Sequence, residues 1–253
     1  MMPACRDLAL ACATGAALLA GCASSNGVVG EVTDAVAGIV LPPEQAAQLG
    51  DRLAAEVDAK YPRASPTAQQ RVDRIGRQLL ASADTGSAPF DFEFTAIEQP
   101  GVVNAFALPG GHIYVTTGLL QLAETDAELA SVIGHEIAHV TERHIAERMA
   151  SQYGVQLLAS AALGQNPGVV SQLAGSVVEK GLLMRYSRSQ ELDADRVGVR
   201  TMRAAGYDPQ GAVSMFRDLE QASGDSGTPE FLSSHPSNER RIERIQAMIA
   251  EGS

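Results

Sequence analysis

The pentad His135-Glu136-Ile137-Ala138-His139 constrains this chain more strongly than any other feature of its sequence. Two histidines four residues apart lie on one face of a helix, so both imidazoles can ligate one zinc ion. Glu136 lies about a third of a turn away, where its carboxylate can act on water held by the same ion. Apolar residues recur at helical spacing from Ala127 to Met149, and the sequence therefore predicts a single helix over this range.

A second pair of ionisable residues supplies a candidate third ligand. Glu191 and Asp195 are also four residues apart and share a face if their segment is helical. Catalytic zinc sites commonly have three protein ligands, and Glu191 would complete a His-His-Glu set for one Zn²⁺ per chain. Asp195 could accept a hydrogen bond from the outer nitrogen of a ligating histidine and fix its tautomer. The alternative is a solvated acidic helix face, but the pentad favours the metal site.

Four groups of motifs follow one another along the chain. They are Asn104–Val115 with Thr117–Leu120, His135–His139 with Arg143-His144, Arg188–Asp195, and Ser234–Pro236 followed by Arg240-Arg241-Ile242. With these motifs the chain resembles the Ste-type/HtpX/Oma-type zinc metallopeptidase family from about Pro43 to Ile249. Within that family it is most similar to a branch of small bacterial lipoproteins that resembles the peptidase core of outer-membrane assembly proteases.

The resemblance implies roles for individual residues. It implies that His135, His139 and Glu191 bind Zn²⁺ and that Glu136 is the general base. His235 matches a histidine that, in related lipoproteins, can approach the zinc as a fourth ligand and hold the site latent. The implied fold is a zincin-type, gluzincin-like helical core.

Three residues are candidate donors to an oxyanion, and their spacing does not decide among them: His235, Tyr186 and Arg188. His235 also has a simpler interpretation as a surface histidine that precedes the last helix. His144, five residues after the second histidine of the pentad, is expected to point elsewhere on that helix in a structural role. His112 follows a Gly-Gly turn and is expected to be exposed.

The N-terminal residues predict how the protein is attached to a membrane. Residues 1–21 contain one basic residue, Arg6, and an apolar run from Leu8 to Ala20 that is too short to span a bilayer comfortably. The segment is typical of a signal peptide and ends in Leu-Ala-Gly before Cys22, which resembles a bacterial lipobox. We expect cleavage before Cys22 and lipidation of that cysteine; the alternatives are an ordinary secretory signal and an uncleaved anchor. Because Ala23 rather than Asp follows, we expect the periplasmic face of the outer membrane.

The other cysteines and the charge exclude several classes of protein. Cys5 and Cys12 lie inside the predicted signal peptide, so the mature chain has no cysteine pair for a disulfide. A formal net charge of −11 at pH 7 argues against nucleic-acid binding and against a polybasic membrane patch. Attachment to the cell envelope is therefore expected through the N-terminal lipid.

The predicted fold class is α+β and mainly helical, with a small antiparallel or mixed sheet packed against helices. Residues 22–42 are expected to form a flexible tether, and residues 43–253 one zinc metallopeptidase domain. The predicted elements are helices at Pro43–Lys60 and Pro66–Ala83, strands at Phe90–Ile97, Val102–Leu108 and His112–Thr116, and helices from Thr125 onward. The first strand alternates apolar and polar residues, which predicts one buried face. The second is the candidate edge strand to which an extended peptide would add.

Two apolar stretches, Val155–Leu163 and Val169–Met184, could insert in a membrane or form an α-hairpin. The first is only about half the length of a membrane span. The second contains Glu179 and Lys180, and charges at bilayer depth cost about 2.5–3.5 kcal/mol each. The sequence therefore favours a hairpin that covers the active site.

Two function classes are compatible with these patterns. The first is an envelope endopeptidase that removes misfolded or stalled outer-membrane proteins, in contact with the outer-membrane assembly machinery. The second is a zinc-stabilised chaperone or assembly factor with latent peptidase activity. Glu136 favours the first, because a protein that only binds has no need of a general base.

Overall fold

The computed structural model describes residues 41–86, 90–180, 185–223, 228–236 and 239–252, with the backbone alone for 176–180. The predicted signal peptide, Cys22 and the tether up to residue 40 lie outside these residues. The described part is mainly helical and contains one small sheet, which confirms the predicted α+β class.

The elements follow one another along the chain as two helices, three strands and then helices only. The strands are β1 (Glu93–Ile97), β2 (Ala105–Ala107) and β3 (His112–Thr116). The helices of the described residues are α1 (Pro43–Lys60), α2 (Pro66–Leu80), α3 (Thr117–Leu122), α4 (Asp126–Thr141), α5 (His144–Tyr153), α6 (Val155–Ala162), α7 (Pro167–Lys180), α8 (Arg188–Ala204), α9 (Gln210–Ala222), α10 (Glu230–Ser234) and α11 (Glu239–Glu251).

The sheet is mixed and has the strand order β1-β3-β2. β1 runs parallel to β3, whereas β2 is antiparallel to it through the tight turn Pro109-Gly110-Gly111. Gly110 and Gly111 have φ values of 87° and 115°, a region that favours glycine. At Gly110 a Cβ atom would also lie 2.6 Å from the Cα of Ala47, so this turn packs directly against α1.

Helices cover both faces of the sheet. The Tyr114 hydroxyl donates to the Ala54 carbonyl of α1 at 3.4 Å. Phe94 of β1 pairs with Ile113 of β3, and its ring packs against Gly76 of α2. Four of the five β1 residues are consequently buried. The prediction of a single buried face for this strand was wrong, because alternation in the sequence does not show that a polar residue such as Thr95 is also covered.

β2 lies at an edge of the sheet, as predicted. The outer side of β1 is occupied by the segment before α2, where the Ala64 N–H donates to the Ala96 carbonyl at 2.9 Å. On the outer side of β2, the Phe231 N–H of α10 donates to the Val103 carbonyl at 3.1 Å. β2 is therefore the strand whose outer edge faces the segment that contains His235.

The single helix predicted from Ala127 to Met149 is two helices. α4 ends at Thr141, and α5 begins at His144. Between them Arg143 adopts a left-handed conformation with φ 62°, which turns the chain. Apolar periodicity continues through this corner, so the sequence pattern could not reveal it.

The described parts of the two apolar stretches form the helices α6 and α7, as predicted for a hairpin, and residues 181–184 of the second stretch lie outside the described residues. The two helices pack against each other and chiefly against α1, and α6 also packs against α5, whereas neither packs extensively against α4 or α8, which carry the pentad and Glu191. The expectation that the hairpin covers the active site is therefore not supported by the described residues. Within the part of the chain that is described, no helix combines the length and the apolar character that crossing a membrane requires.

Candidate metal centre

The pentad lies in the buried C-terminal half of α4. The helix begins at a complete capping box, in which Thr125 and Glu128 satisfy each other's backbone N–H groups. His135 is 5% exposed, and Glu136 and His139 are fully buried. An ionisable triplet at this depth requires compensating partners.

Glu191 and Asp195 reach the pentad from α8. The N-terminus of this helix is fixed by a second capping box, formed by Ser187 and Gln190. α4 and α8 cross at Gly134 and Gly198, where a Cβ atom on Gly198 would lie 3.2 Å from the Gly134 carbonyl carbon. This backbone-to-backbone contact places Glu191 and the two histidines around one point.

Four donor groups converge there, and their candidate ligand atoms all lie within 4.8 Å of one another: His135, His139, Glu191 and His235. His135 Nε2 lies 3.0 Å from His139 Nε2, 3.2 Å from His235 Nδ1 and 3.5 Å from Glu191 Oε2. Glu191 Oε1 lies 3.5 Å from His139 Nε2 and 3.1 Å from His235 Nδ1. Atoms at the corners of a tetrahedron, each about 2.0–2.1 Å from a central zinc, are about 3.3 Å apart. The donor set and its spacing therefore fit a zinc ion.

Buried charge supports the same interpretation. Among the described residues, the centre contains three buried carboxylates, those of Glu136, Glu191 and Asp195, and one guanidinium that pairs with two of them, that of Arg241. Burying uncompensated charge is costly, so a cation bound at this point would stabilise the cluster. A divalent metal would neutralise the two remaining negative charges.

The outer nitrogens of both pentad histidines have partners. His135 Nδ1 lies 3.0 Å from Asp195 Oδ1, where Asp195 was expected. His139 Nδ1 lies 3.1 Å from His144 Nδ1, and His144 Nε2 lies 3.7 Å from Asp193 Oδ2. Partners of this kind fix the tautomer so that Nε2 can face a metal.

His144 was missed as a residue of the site. The sequence prediction that it points elsewhere assumed that the helix continues past His139, whereas the corner at Arg143 returns His144 to the pentad. Its burial lowers the pKa of its imidazole, which favours a neutral partner for His139. The expectation that His112 is exposed was also wrong, because its side chain is 12% exposed and lies 2.8 Å from Asp51.

Glu136 is the least compensated group of the cluster. Neither of its carboxylate oxygens forms a hydrogen bond with a described residue, although His235 Nε2 lies 3.3 Å from Oε1. Burial raises the pKa of this carboxyl group, and the nearby His235 and His135 oppose that shift. The backbone of Ala107 in β2 is also close to Glu136. A group of raised pKa beside a metal centre and a strand edge is suited to proton transfer.

Arg241 pairs with two carboxylates of the centre, those of Asp195 and Glu191. Its guanidinium forms a two-pronged pair with Asp195, at 2.8 and 2.7 Å, and its Nη1 lies 2.5 Å from Glu191 Oε2. Burial alone would raise the pKa of Asp195, but the charge and hydrogen bonds of Arg241 hold it below its usual value. The role of Arg241 could not be predicted from the sequence, because nothing in its local pattern distinguishes it from the exposed Arg240.

The three candidate oxyanion donors occupy different places. His235 is 2% exposed at the end of α10, so it is not a surface histidine. The buried Tyr186 ring stacks on His139 at 3.8 Å, and burial raises the pKa of its hydroxyl well above the usual value. Arg188 is exposed and lies outside the buried cluster. The geometry thus leaves Tyr186 and His235 beside the metal position.

The chain is similar to known peptidases over most of its length. A model of Peptidase family M48 matches residues 66–249. Metalloprotease YcaL of Escherichia coli is 30% identical over 257 residues, which cover 97% of this chain and 98% of that protein. The beta-barrel assembly-enhancing protease of Escherichia coli is 31% identical over 217 residues, 81% of this chain and 44% of that protein. Mitochondrial metalloendopeptidase OMA1 of Schizosaccharomyces pombe is 34% identical over 184 residues, 71% of this chain and 52% of that protein. The chain therefore spans about half the length of the last two relatives.

Proposed function

Because the chain belongs to peptidase family M48, we propose that it is a zinc metalloendopeptidase that hydrolyses peptide bonds of misfolded or stalled envelope proteins. The observation that carries this proposal is the buried Glu136 carboxylate, which forms no hydrogen bond with a described residue, beside four converging metal-binding side chains. The proposed ligands are His135, His139 and Glu191, with Asp195 orienting His135.

The chemistry divides between the metal and the chain. When bound, zinc acts as a Lewis acid and lowers the pKa of water to about 7. Glu136 accepts the proton from the attacking water and passes it to the leaving amine. Tyr186 or His235 donates to the oxyanion that develops on the substrate carbonyl. Burial of the whole cluster strengthens each of these interactions.

β2 is the proposed docking strand for an extended substrate. Peptides add to exposed sheet edges through main-chain hydrogen bonds. The strand lies at the edge of the sheet, and its Ala107 backbone is next to Glu136. A peptide aligned along β2 would therefore present its main chain close to the general base.

We place the protein in the cell envelope, anchored through lipid on Cys22 to the periplasmic face of the outer membrane. This part of the proposal is supported by the lipobox-like sequence before Cys22. The name of the beta-barrel assembly-enhancing protease supports a substrate or partner within the outer-membrane assembly machinery.

A second candidate function is a chaperone or assembly factor with latent peptidase activity. The position of His235 Nδ1 among the proposed ligands favours this alternative, because a fourth protein ligand would close the site.

Unfolded casein separates the two functions. Zinc-loaded wild-type protein should degrade casein, and Glu136→Gln should bind it without cleavage, since the amide cannot accept the proton. Peptides retained by the Glu136→Gln protein in cells would then identify substrates. Equal cleavage by both proteins contradicts the role of Glu136, and cleavage by neither favours the binding function.

A further inference from the structure

A cleft of about 430 Å³ opens beside the candidate metal centre, between the start of α8 and the start of α11. Its wall includes Tyr186 and Glu191, which also belong to the metal centre. Clefts of this volume are typical of sites that bind small groups. Since the cleft and the centre share these residues, a side chain bound in it would belong to a residue close to the scissile bond.

Three exposed arginines line this cleft: Arg185, Arg188 and Arg240. Arg185 donates to the Ser233 carbonyl at 3.3 Å, a neutral acceptor. Arg188 and Arg240 form no hydrogen bond or ion pair with any residue that the structure describes. Several other arginines of the surface pair with aspartates, as in Arg63–Asp58, Arg71–Asp126, Arg74–Asp126, Arg77–Asp73 and Arg196–Asp193. Arg200 and Arg244, which line a different cleft, form no such pair with a described residue. The cleft beside the metal centre differs in its contact with Glu191 of that centre.

The excess of acidic residues in the chain bears on the three arginines of this cleft. The chain has 30 acidic and 19 basic residues, so an exposed arginine has abundant carboxylates with which to pair. Three guanidinium groups around one cleft repel one another unless an anion lies between them. The one carboxylate in the lining, Glu191, is buried and is paired with Arg241. The cleft is therefore a positively charged opening next to a negatively charged buried centre.

We propose that this cleft is a substrate subsite that binds a carboxylate of the peptide close to the cleaved bond. The guanidinium fork matches a carboxylate with two parallel hydrogen bonds, which makes arginine the preferred residue for this recognition. The carboxylate is that of an aspartate or glutamate side chain or that of the substrate's C-terminus. This inference rests on the proposed peptidase function and adds a substrate preference to it.

Binding tests the subsite without relying on catalysis. Zinc-loaded Glu136→Gln protein is titrated into fluorescein-labelled peptides that differ only by Glu or Gln at one position, each with a free or an amidated C-terminus. Fluorescence anisotropy should show about tenfold tighter binding of the carboxylate-bearing peptide. The Glu series reports a side-chain carboxylate, and the free-acid series reports the terminal one.

The variant Arg188→Gln with Arg240→Gln, in the same background, should lose this preference and bind neutral peptides as before. Arg200→Gln is the matched control, because Arg200 is an exposed arginine of α8 that lines a different cleft. Arg188→Glu with Arg240→Glu should reverse the preference toward peptides with lysine at the same position.

The outcomes separate this inference from the proposed function. Equal binding of acidic and neutral peptides overturns the subsite. An equal loss in Arg200→Gln also overturns it, because general surface charge then explains the effect. If acidic peptides bind through Arg188 and Arg240 but the wild-type protein cleaves none of them, the subsite stands and the peptidase function fails.

Discussion

Arg241 shows how one residue can connect several parts of a site. Besides its pairs with Asp195 and Glu191, it donates to the Pro236 carbonyl at 3.1 Å, next to His235. Its guanidinium also lies over the Phe216 ring, 4.6 Å from the centroid. Arg241 thus joins a proposed ligand, the carboxylate behind His135 and the segment of His235.

We expect Arg241→Ala to lower the free energy of unfolding by about 3–5 kcal/mol, because it leaves two buried carboxylates without their cation. Urea denaturation in a zinc buffer measures this change. The adjacent Arg240→Ala is the control and should change stability by less than about 0.5 kcal/mol, since its side chain is exposed. Similar small losses in both variants would show that Arg241 contributes little to the centre.

Two opposite roles are open to His235: a fourth zinc ligand that keeps the site latent, or a donor to the oxyanion that assists catalysis. If its Nδ1 occupies the fourth ligand position, His235→Ala should raise basal peptide cleavage while zinc stays bound through three ligands. If it is an oxyanion donor, the same change should lower turnover by about a hundredfold or more. Turnover of a short peptide, with zinc content measured alongside, distinguishes the two. Unchanged turnover rejects both roles, and His112→Ala serves as a control outside the centre.

At the scale of the elements, the crossing of α4 and α8 sets the geometry of the centre. The two helices carry all three proposed zinc ligands, and they touch at Gly134 and Gly198 without intervening side chains. A Cβ atom on Gly198 would lie 3.2 Å from the His135 backbone nitrogen. Backbone atoms cannot rotate away, so the helices would have to separate.

We therefore expect Gly198→Ala to weaken zinc binding by about tenfold, because ligands on two helices tolerate little displacement. Competition with a fluorescent chelator measures the affinity. Gly175→Ala in α7 is the control, since a Cβ atom there meets nothing within 4 Å, and it should leave zinc binding unchanged. Undiminished zinc affinity in Gly198→Ala would show that α4 and α8 can move apart without displacing the zinc ligands.

The elements also show what the sequence could predict. Spacing within one helix was sufficient for His135, Glu136 and His139, because four residues make about one turn. The corner at Arg143 could not be predicted, since a left-handed arginine has no pattern of its own. The contact between Arg241 and Asp195 spans 46 residues, and only tertiary packing brings the two together. Likewise, Thr95 on the second buried face of β1 accepts a hydrogen bond from Arg63, which lies 32 residues earlier in the chain.

For the whole molecule, attachment to the membrane depends on residues outside the described part. We expect Cys22→Ser to block lipidation and either stop processing of the precursor or release a soluble periplasmic form. Fractionation of cells and mass spectrometry of the mature N-terminus measure the outcome. Cys12→Ser is the control, since that cysteine lies in the predicted signal peptide. An unmodified Cys22 in the membrane fraction would contradict the lipoprotein assignment.

The hydrogen bond from Phe231 to Val103 has a consequence for the length of the substrates. Phe231 lies four residues before His235 in the segment that borders β2, and its N–H occupies a carbonyl at the edge where a peptide would add. A long extended chain can replace this bond and draw the segment away, whereas a short peptide that pairs with Ala105–Ala107 alone would leave the bond in place. We expect kcat/KM to rise steeply with peptide length in the wild-type protein and to depend little on length in His235→Ala. The enzyme would then spare short peptides and act on chains that are extended over many residues, as unfolded proteins are.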